Sequence, residues 1–133
     1  MTVTHYPSLE SLACDDVRNP SWWASVARSL DELDVRLQSD AAADEGPSGA
    51  FADAVSRDPS LANDARRLLD DHRRLTERAR RLRRLVATVA GDERQISAVA
   101  GELSALATAE QRYQQRSRSL YWDSFARDLG GER

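Results

Sequence analysis

The chain has 133 residues, 41% hydrophobic and 31% charged, with a net charge of -3. This is enough for one domain around a single core, and no stretch approaches the roughly 18 apolar residues of a membrane span. We expect no secretory signal, because the first residues are neither basic nor apolar. Cys14 is the only cysteine, so an internal disulfide is excluded and the cytoplasm is the expected compartment. All 19 basic residues are arginine, a bias typical of high-GC bacterial genomes.

The first 18 residues show no helical period and are predicted to form an N-terminal arm, and residues 19–133 a single helical-bundle domain. Asn19-Pro20 is typical of a helix start, with an N-cap and then a proline in the first turn. Apolar residues then recur at spacings of three and four, which predicts a first helix of about five turns with one buried stripe. The stripe consists of Trp23, Val26, Leu30, Leu33 and Leu37. Residues 40–49 (DAAADEGPSG) are predicted to be a loop from their composition.

A short second helix is predicted over residues 48–57, ending at Asp58-Pro59 because the residue before a proline avoids the helical conformation. Ser60 is expected to cap the third helix. The third helix has the most regular stripe, which consists of Leu61, Ala65, Leu68, His72, Leu75, Ala79, Leu82, Val86 and Val89. Gly91 is expected to end it, and Asp92 with Gln95 predicts a capping box for a last helix that runs to about residue 126.

These elements predict an all-α fold. The third and fourth helices would each be roughly 45–50 Å long, so the shorter first and second helices together would cover the same length. Short connections favour antiparallel neighbours. The predicted architecture is therefore an antiparallel up-down four-helix bundle with a short or broken second helix.

The apolar seam becomes polar at one level. His72 takes a seam position of the third helix, and the fourth helix places Glu110, Tyr113 and Ser117 on its own seam. Trp23 is expected at the same end of the bundle. Buried polar groups need hydrogen-bond partners. The layer is therefore a self-satisfied core cluster, a pocket for a metal or small ligand, or a half-exposed edge of the bundle.

The order of these features resembles the hemerythrin-like, or HHE cation-binding, family. The resemblance runs from about Trp22 to the end of the chain and is strongest in three segments. They are RSLDELDVRL, FADAVSRDPSLANDARRLLDDHRRLTERARRL and SLYWDSFARDLGGE. The resemblance implies a four-helix bundle that holds a non-haem di-iron centre on inward histidines and carboxylates. His72 matches the histidine of the third helix, but Trp23, Thr76 and Tyr113 stand at other implied ligand positions.

Two carboxylate-bridged irons need about five or more inward ligands. The chain has two histidines, and one of them, His5, lies in the predicted arm. The resemblance therefore implies a bundle that has lost its di-iron centre, needs no cofactor and acts as a non-catalytic binding or regulatory protein. The alternative is a non-haem iron site on His72, Glu110 and Tyr113 that senses or carries oxygen, nitric oxide or peroxide. A third interpretation is a small molecule bound in the bundle core.

Catalysis has no support in the sequence, which has neither a nucleophile constellation nor a phosphate-binding glycine loop. We expect no nucleic-acid partner: the nine arginines of residues 61–90 are predicted to spread over all the faces outside the seam, and they oppose a first half rich in acids. Trp22 and Trp23 are adjacent and were not expected to point inward together. Trp22 and Trp122, if both exposed near one end, would form a patch for a homodimer or a protein partner.

Overall fold

The computed structural model describes residues 21–46 and 48–130, with the backbone alone for residues 127–130. Four helices are present: α1 (Ser21–Asp44), α2 (Ala50–Arg57), α3 (Ala62–Val89) and α4 (Ile96–Gly130). Short 3-10 turns at Pro59–Leu61 and Glu93–Gln95 precede α3 and α4. The described residues contain no strand, so the all-α prediction is confirmed. The predicted arm and the Asn19-Pro20 helix start lie outside the described residues.

Each long helix contributes one apolar stripe to the core. The stripes of α1 and α3 are buried as their spacing predicts, and Val89 alone among their apolar members is only partly buried. On α4 the residues Val99, Leu103 and Leu106 are fully buried. Burial of a leucine or valine side chain stabilises the fold by roughly 1.5–3 kcal/mol, so these stripes are what hold the helices together.

The region between α2 and α3 follows from one proline. Asp58 is extended (φ -140°, ψ 93°), as expected before Pro59, and it ends α2 at Arg57. The Asp58 carboxylate accepts a hydrogen bond from the Ser60 amide and so caps the 3-10 turn. The prediction that Ser60 caps α3 is therefore wrong, because this turn intervenes and Leu61 stands at the N-cap without a side-chain bond.

The three helix ends predicted from the sequence differ in outcome. Gly91 has a positive φ of 88° and ends α3, as predicted. Helix α1, however, continues through Asp44, so the first half of the predicted loop at residues 40–49 is helical. Helix α4 continues to Gly130 instead of ending near residue 126.

Contacts between the helices define which residues lie at the same level. Along α1 and α3, later residues of one helix meet earlier residues of the other; the pairs are Asp31–Arg83 at 2.8 Å, Asp34–Arg80 at 3.0 Å and the Leu37 carbonyl–His72 at 2.8 Å. The same order holds between α3 and α4 in the pairs Asp71–Arg116 and Arg78–Glu102. The C-terminal end of α1 therefore lies level with the middle of α3.

Helix α2 lies against the last described turns of α4. Arg57 donates a hydrogen bond to the Ser124 hydroxyl at 3.2 Å, and its guanidinium lies 3.8 Å from the centroid of the Phe125 ring. Such a cation over an aromatic face is attracted by the ring quadrupole. Phe51 and Ala54 of α2 are buried. Among the described helices, none is both long enough and apolar enough to cross a membrane.

Candidate functional site

His72 lies at the centre of a polar layer in the core. Its side chain is 5% exposed, and its Nε2 lies 2.8 Å from the carbonyl oxygen of Leu37. A carbonyl only accepts, so Nε2 carries a proton and donates the hydrogen bond. The other nitrogen, Nδ1, lies 3.4 Å from Oε1 of Glu45. Both ring nitrogens are therefore directed at oxygen atoms from the C-terminal end of α1.

Three acidic residues lie at this end of α1. The stripe spacing of three and four continues from Leu37 to Asp40 and Asp44, and Glu45 follows directly after the helix. Burial raises the pKa of the Asp44 carboxyl, and the nearby Asp40 carboxylate raises it further. A helix C-terminus carries partial negative charge of its own, so it disfavours carboxylates. This cluster was missed because composition predicted a loop here, although the continued spacing was a signal for it.

Tyr113 joins the layer from α4. Its ring centroid lies 5.3 Å from that of His72, and the residue is 3% exposed. Its hydroxyl is buried and makes no well-formed hydrogen bond, although the Asp44 carboxylate lies close enough to interact with it. Burial first, and then the charge of Asp44, raise the pKa of the Tyr113 phenol far above its ordinary value. Tyr113 is therefore held as a neutral phenol, which is a poor metal ligand.

The structure does not bring all the predicted site residues together. Glu110 is turned to the surface, where its carboxylate pairs with Arg36 at 3.3 Å. Ser117 is partly buried one turn beyond Tyr113, and among the described residues no hydrogen bond joins it to His72. Trp23 is buried, but it precedes Leu37 by fourteen residues, or about 21 Å along α1. The expectation that Trp23 shares the level of His72 is wrong, because His72 contacts the opposite end of α1.

A groove between α1 and α3 adjoins the polar layer. Its volume is about 510 Å³, and it is lined by Gln38, Ala41, His72, Arg73, Thr76, Glu77, Arg80 and Arg84. The Thr76 hydroxyl is buried and has no hydrogen-bond partner among the described residues. Buried polar atoms in native proteins are rarely left unpaired, so this hydroxyl is available to a bound molecule or a water.

The residues of the layer do not fit a di-iron centre. Glu110 pairs with Arg36, the phenol of Tyr113 resists ionisation, and His72 has only Nδ1 left for a metal because Nε2 donates to a backbone carbonyl. Metal ligands must be deprotonated and directed at a common point. Within residues 21–46 and 48–130 no three His, Cys, Asp or Glu side chains gather as a metal site.

The predicted tryptophan patch is also not assembled. Trp22 and Trp23 are both buried in the core, with exposures of 3% and 9%, and their rings pack edge to face with centroids 5.0 Å apart. Trp122 is 66% exposed, but the helix pairing places it at the opposite end of the bundle from Trp22. The expectation of an exposed Trp22 is therefore wrong, and only Trp122 remains as a surface residue.

Comparison with protein-family models, curated proteins and solved structures gave no match.

Proposed function

We propose that this chain is a hemerythrin-like antiparallel up-down bundle that has lost its di-iron centre and serves as a non-catalytic binding or regulatory protein in the bacterial cytoplasm. The order of the helix contacts supports the arrangement, since residues of α1 pair in reverse order with residues of α3, and those of α3 with those of α4. A parallel neighbour would pair in the same order. Residues 90–95 between α3 and α4 are too few to allow a crossover of the bundle's length.

The observation that carries the proposal is the small number of possible metal ligands around His72 in the described residues. A histidine that binds a metal through Nε2 directs that lone pair at the ion, and its other nitrogen donates to a second partner. In this chain Nε2 donates to the Leu37 carbonyl instead, 2.8 Å away, and the side chain is buried. Binding through Nε2 would require that proton to leave. Binding through Nδ1, which lies 3.4 Å from Oε1 of Glu45, would find too few ligands, because no three His, Cys, Asp or Glu side chains of the described residues form a metal site.

The competing function is a non-haem iron site of reduced ligand number that senses or carries oxygen, nitric oxide or peroxide. It would need Glu110 to leave Arg36 and turn inward, beside His72 and Tyr113. The test is metal analysis with an ultraviolet-visible spectrum of the full chain, purified aerobically from iron-supplemented cells. We expect substoichiometric iron and no charge-transfer band. Stoichiometric iron with such a band, abolished in His72→Gln, would overturn the metal-free proposal.

A small polar ligand beside His72 is the second candidate function. It is favoured by the unpaired Thr76 hydroxyl in the wall of the groove between α1 and α3. Native mass spectrometry of the freshly purified chain would reveal a retained molecule as an added mass. The isosteric change Thr76→Val should remove that mass, whereas Thr88→Val, at an exposed position on the same helix, should retain it. An unmodified chain mass in the wild type would count against this candidate.

A further inference from the structure

The nine arginines of α3 fall into two sets that the sequence did not separate. Three of them form ion pairs with acids on other helices; the pairs are Arg78–Glu102, Arg80–Asp34 and Arg83–Asp31. The other six are exposed and have no ion pair to another helix within the described residues; they are Arg66, Arg67, Arg73, Arg74, Arg81 and Arg84. The only ion pair in this second set is a loose one, Arg73–Asp70 at 3.9 Å within α3. The arginines therefore occupy the faces outside the seam, as expected, but those on the outward face have no partner on another helix within the described residues.

Helix geometry explains the division. Paired arginines recur every seven residues, at positions 66–67, 73–74 and 80–81. Seven residues fall about 20° short of two full helical turns, so each pair is rotated slightly from the one before it. By the third pair, the first arginine, Arg80, has reached the edge that faces α1, where it meets Asp34. Its neighbour Arg81 has moved towards the middle of the outward face.

The six exposed arginines form what we call the arginine face of α3. The face extends from Arg66 to Arg84, which is about 27 Å along the helix. Residues 66–84 contain three acids, of which Asp71 pairs with Arg116 of α4. Asp70 and Glu77 are left to offset the six arginines, so the net charge of the face is 6 - 2 = +4. The whole chain carries -3, and the remainder therefore carries -3 - 4 = -7. The positive charge is therefore concentrated on one face of an otherwise acidic chain, and the net charge alone does not indicate this.

The basic surface continues onto α4. A groove of about 220 Å³ beside the arginine face is lined by residues of both helices, among them Arg74, Arg78, Arg112 and Arg116. Arg116 pairs with Asp71 and Arg78 with Glu102, but Arg112 is exposed and has no ion pair among the described residues. Arg112 therefore adds one more positive charge to the α4 side of the face.

We propose that the arginine face binds the phosphate backbone of double-stranded DNA without sequence preference. A guanidinium presents a planar fork of donors that matches phosphate oxygens. The face is a convex helix surface, and the major groove, about 12 Å wide, admits an α-helix between its two phosphate rows. The length of the face, about 27 Å on one helix, fits a regular series of phosphates, which favours a duplex. Arginine clusters also bind acidic peptides and anionic lipid surfaces, so both serve as competitors in the test. The apolar stripe of α3 is buried in the core, so it does not insert into a lipid surface.

The test is fluorescence anisotropy of a labelled DNA duplex titrated with the full chain at several salt concentrations. If about four phosphates are neutralised, the logarithm of the association constant should fall with the logarithm of salt at a slope of about -3.6. The double variant Arg74→Gln/Arg81→Gln removes two contacts. It should bring the slope to about -1.8 and, if the two lines meet at about 1 M salt, weaken binding at about 50 mM salt by about 200-fold. Glutamine has a good helix propensity, so α3 should remain intact.

The matched control is Arg118→Glu on α4. It lowers the net charge by two units, as the double variant does, but Arg118 lies away from α3 on an exposed part of α4. This control should retain the wild-type slope. Equal losses in the two variants would show a net-charge effect only and overturn the proposal. So would the absence of binding at about 50 mM salt, or a slope independent of Arg74 and Arg81.

Two competitors distinguish the partner class. Unlabelled duplex should displace the probe, whereas poly-glutamate of equal charge concentration and anionic phospholipid vesicles should displace it weakly. Displacement by poly-glutamate or vesicles as effective as that by duplex would overturn the assignment to DNA. The melting temperature of each variant should equal that of the wild type, because Arg74, Arg81 and Arg118 are exposed and form no ion pair to another helix within the described residues. If the double variant unfolds, Arg67→Gln/Arg84→Gln tests the same face at independent positions.

Discussion

Replacement of His72 by alanine is the sharpest test of the polar layer. The change deletes a buried ring from the seam of α3, and loss of a side chain of this size costs about 2–3 kcal/mol in transfer and cavity terms. It also deletes the hydrogen bond to the Leu37 carbonyl, worth about 1 kcal/mol net, although that carbonyl keeps its partner within α1. The sum is about 3–4 kcal/mol, or a drop in melting temperature of about 10–14 °C for a chain of this size.

Urea denaturation of both proteins, followed by circular dichroism, measures this difference as long as the transition is two-state. His72→Gln should cost only about 1–2 kcal/mol, because it keeps an amide donor and most of the volume. The control Arg84→Ala changes an exposed residue of the same helix and should alter stability by less than about 0.5 kcal/mol. If His72→Ala costs less than about 1 kcal/mol, then His72 is not the buried centre of the layer and the reasoning is refuted.

Three further predictions concern single positions. Burial raises the pKa of Asp44 in the folded state. Protonation of Asp44 therefore stabilises the folded protein: this contribution to the free energy of unfolding is fully present below the unfolded pKa of about 3.9 and is lost as pH rises through the folded pKa. Asp44→Asn should therefore melt higher than the wild type at pH 7, with an advantage that shrinks below about pH 4; a lower melting temperature at pH 7 would contradict this. Trp22→Ala should cost about 3–5 kcal/mol, whereas Trp122→Ala should cost less than about 1 kcal/mol and leave the mass in light scattering unchanged. A larger loss of stability in Trp122→Ala than in Trp22→Ala would contradict the burial of Trp22. Gly91→Ala should cost about 1 kcal/mol, because its φ of 88° strains any side chain although open space surrounds it; an unchanged midpoint in urea would exclude that strain.

Much of the fold follows from the sequence because helix stripes are local features. The stripe spacing predicts every buried residue from Leu61, in the turn before α3, to Val86 of α3. Asp58-Pro59 and Gly91 mark ends that depend on backbone sterics at a single residue. Such features need no information about the neighbouring helix.

The end of α1 was less predictable from composition. Aspartate and alanine near a glycine and a proline are typical of a loop, but in this chain packing keeps the helix intact as far as Asp44. Asp40 accepts a hydrogen bond from Gln114 of α4, and Glu45 lies beside His72 of α3. These partners are distant in sequence, so the propensity of the segment alone does not report them.

Only part of the candidate site was predictable from the sequence, because its contacts also join residues that are distant in sequence. His72 and Tyr113 are seam residues and do meet in the core, as their helical positions require. Glu110 also takes a seam position, but its longer side chain carries the carboxylate out to Arg36. Trp23 was placed at the wrong level because the register between two helices depends on turns and packing that a stripe does not encode.

The contact of Arg57 with Ser124 and Phe125 has a consequence for synthesis of the chain on the ribosome. Helix α2 is complete by residue 57, but its partners on α4 are made 67 residues later. Synthesis proceeds at about 5–20 residues per second, so the apolar side of α2 is made several seconds before the α4 residues that pack against it. During that interval α1 and α3 can already pair, and α2 has only its smaller contacts with these two helices and the turn between α2 and α3. The nascent chain is therefore exposed to misassociation at α2 until residue 125 has left the exit tunnel.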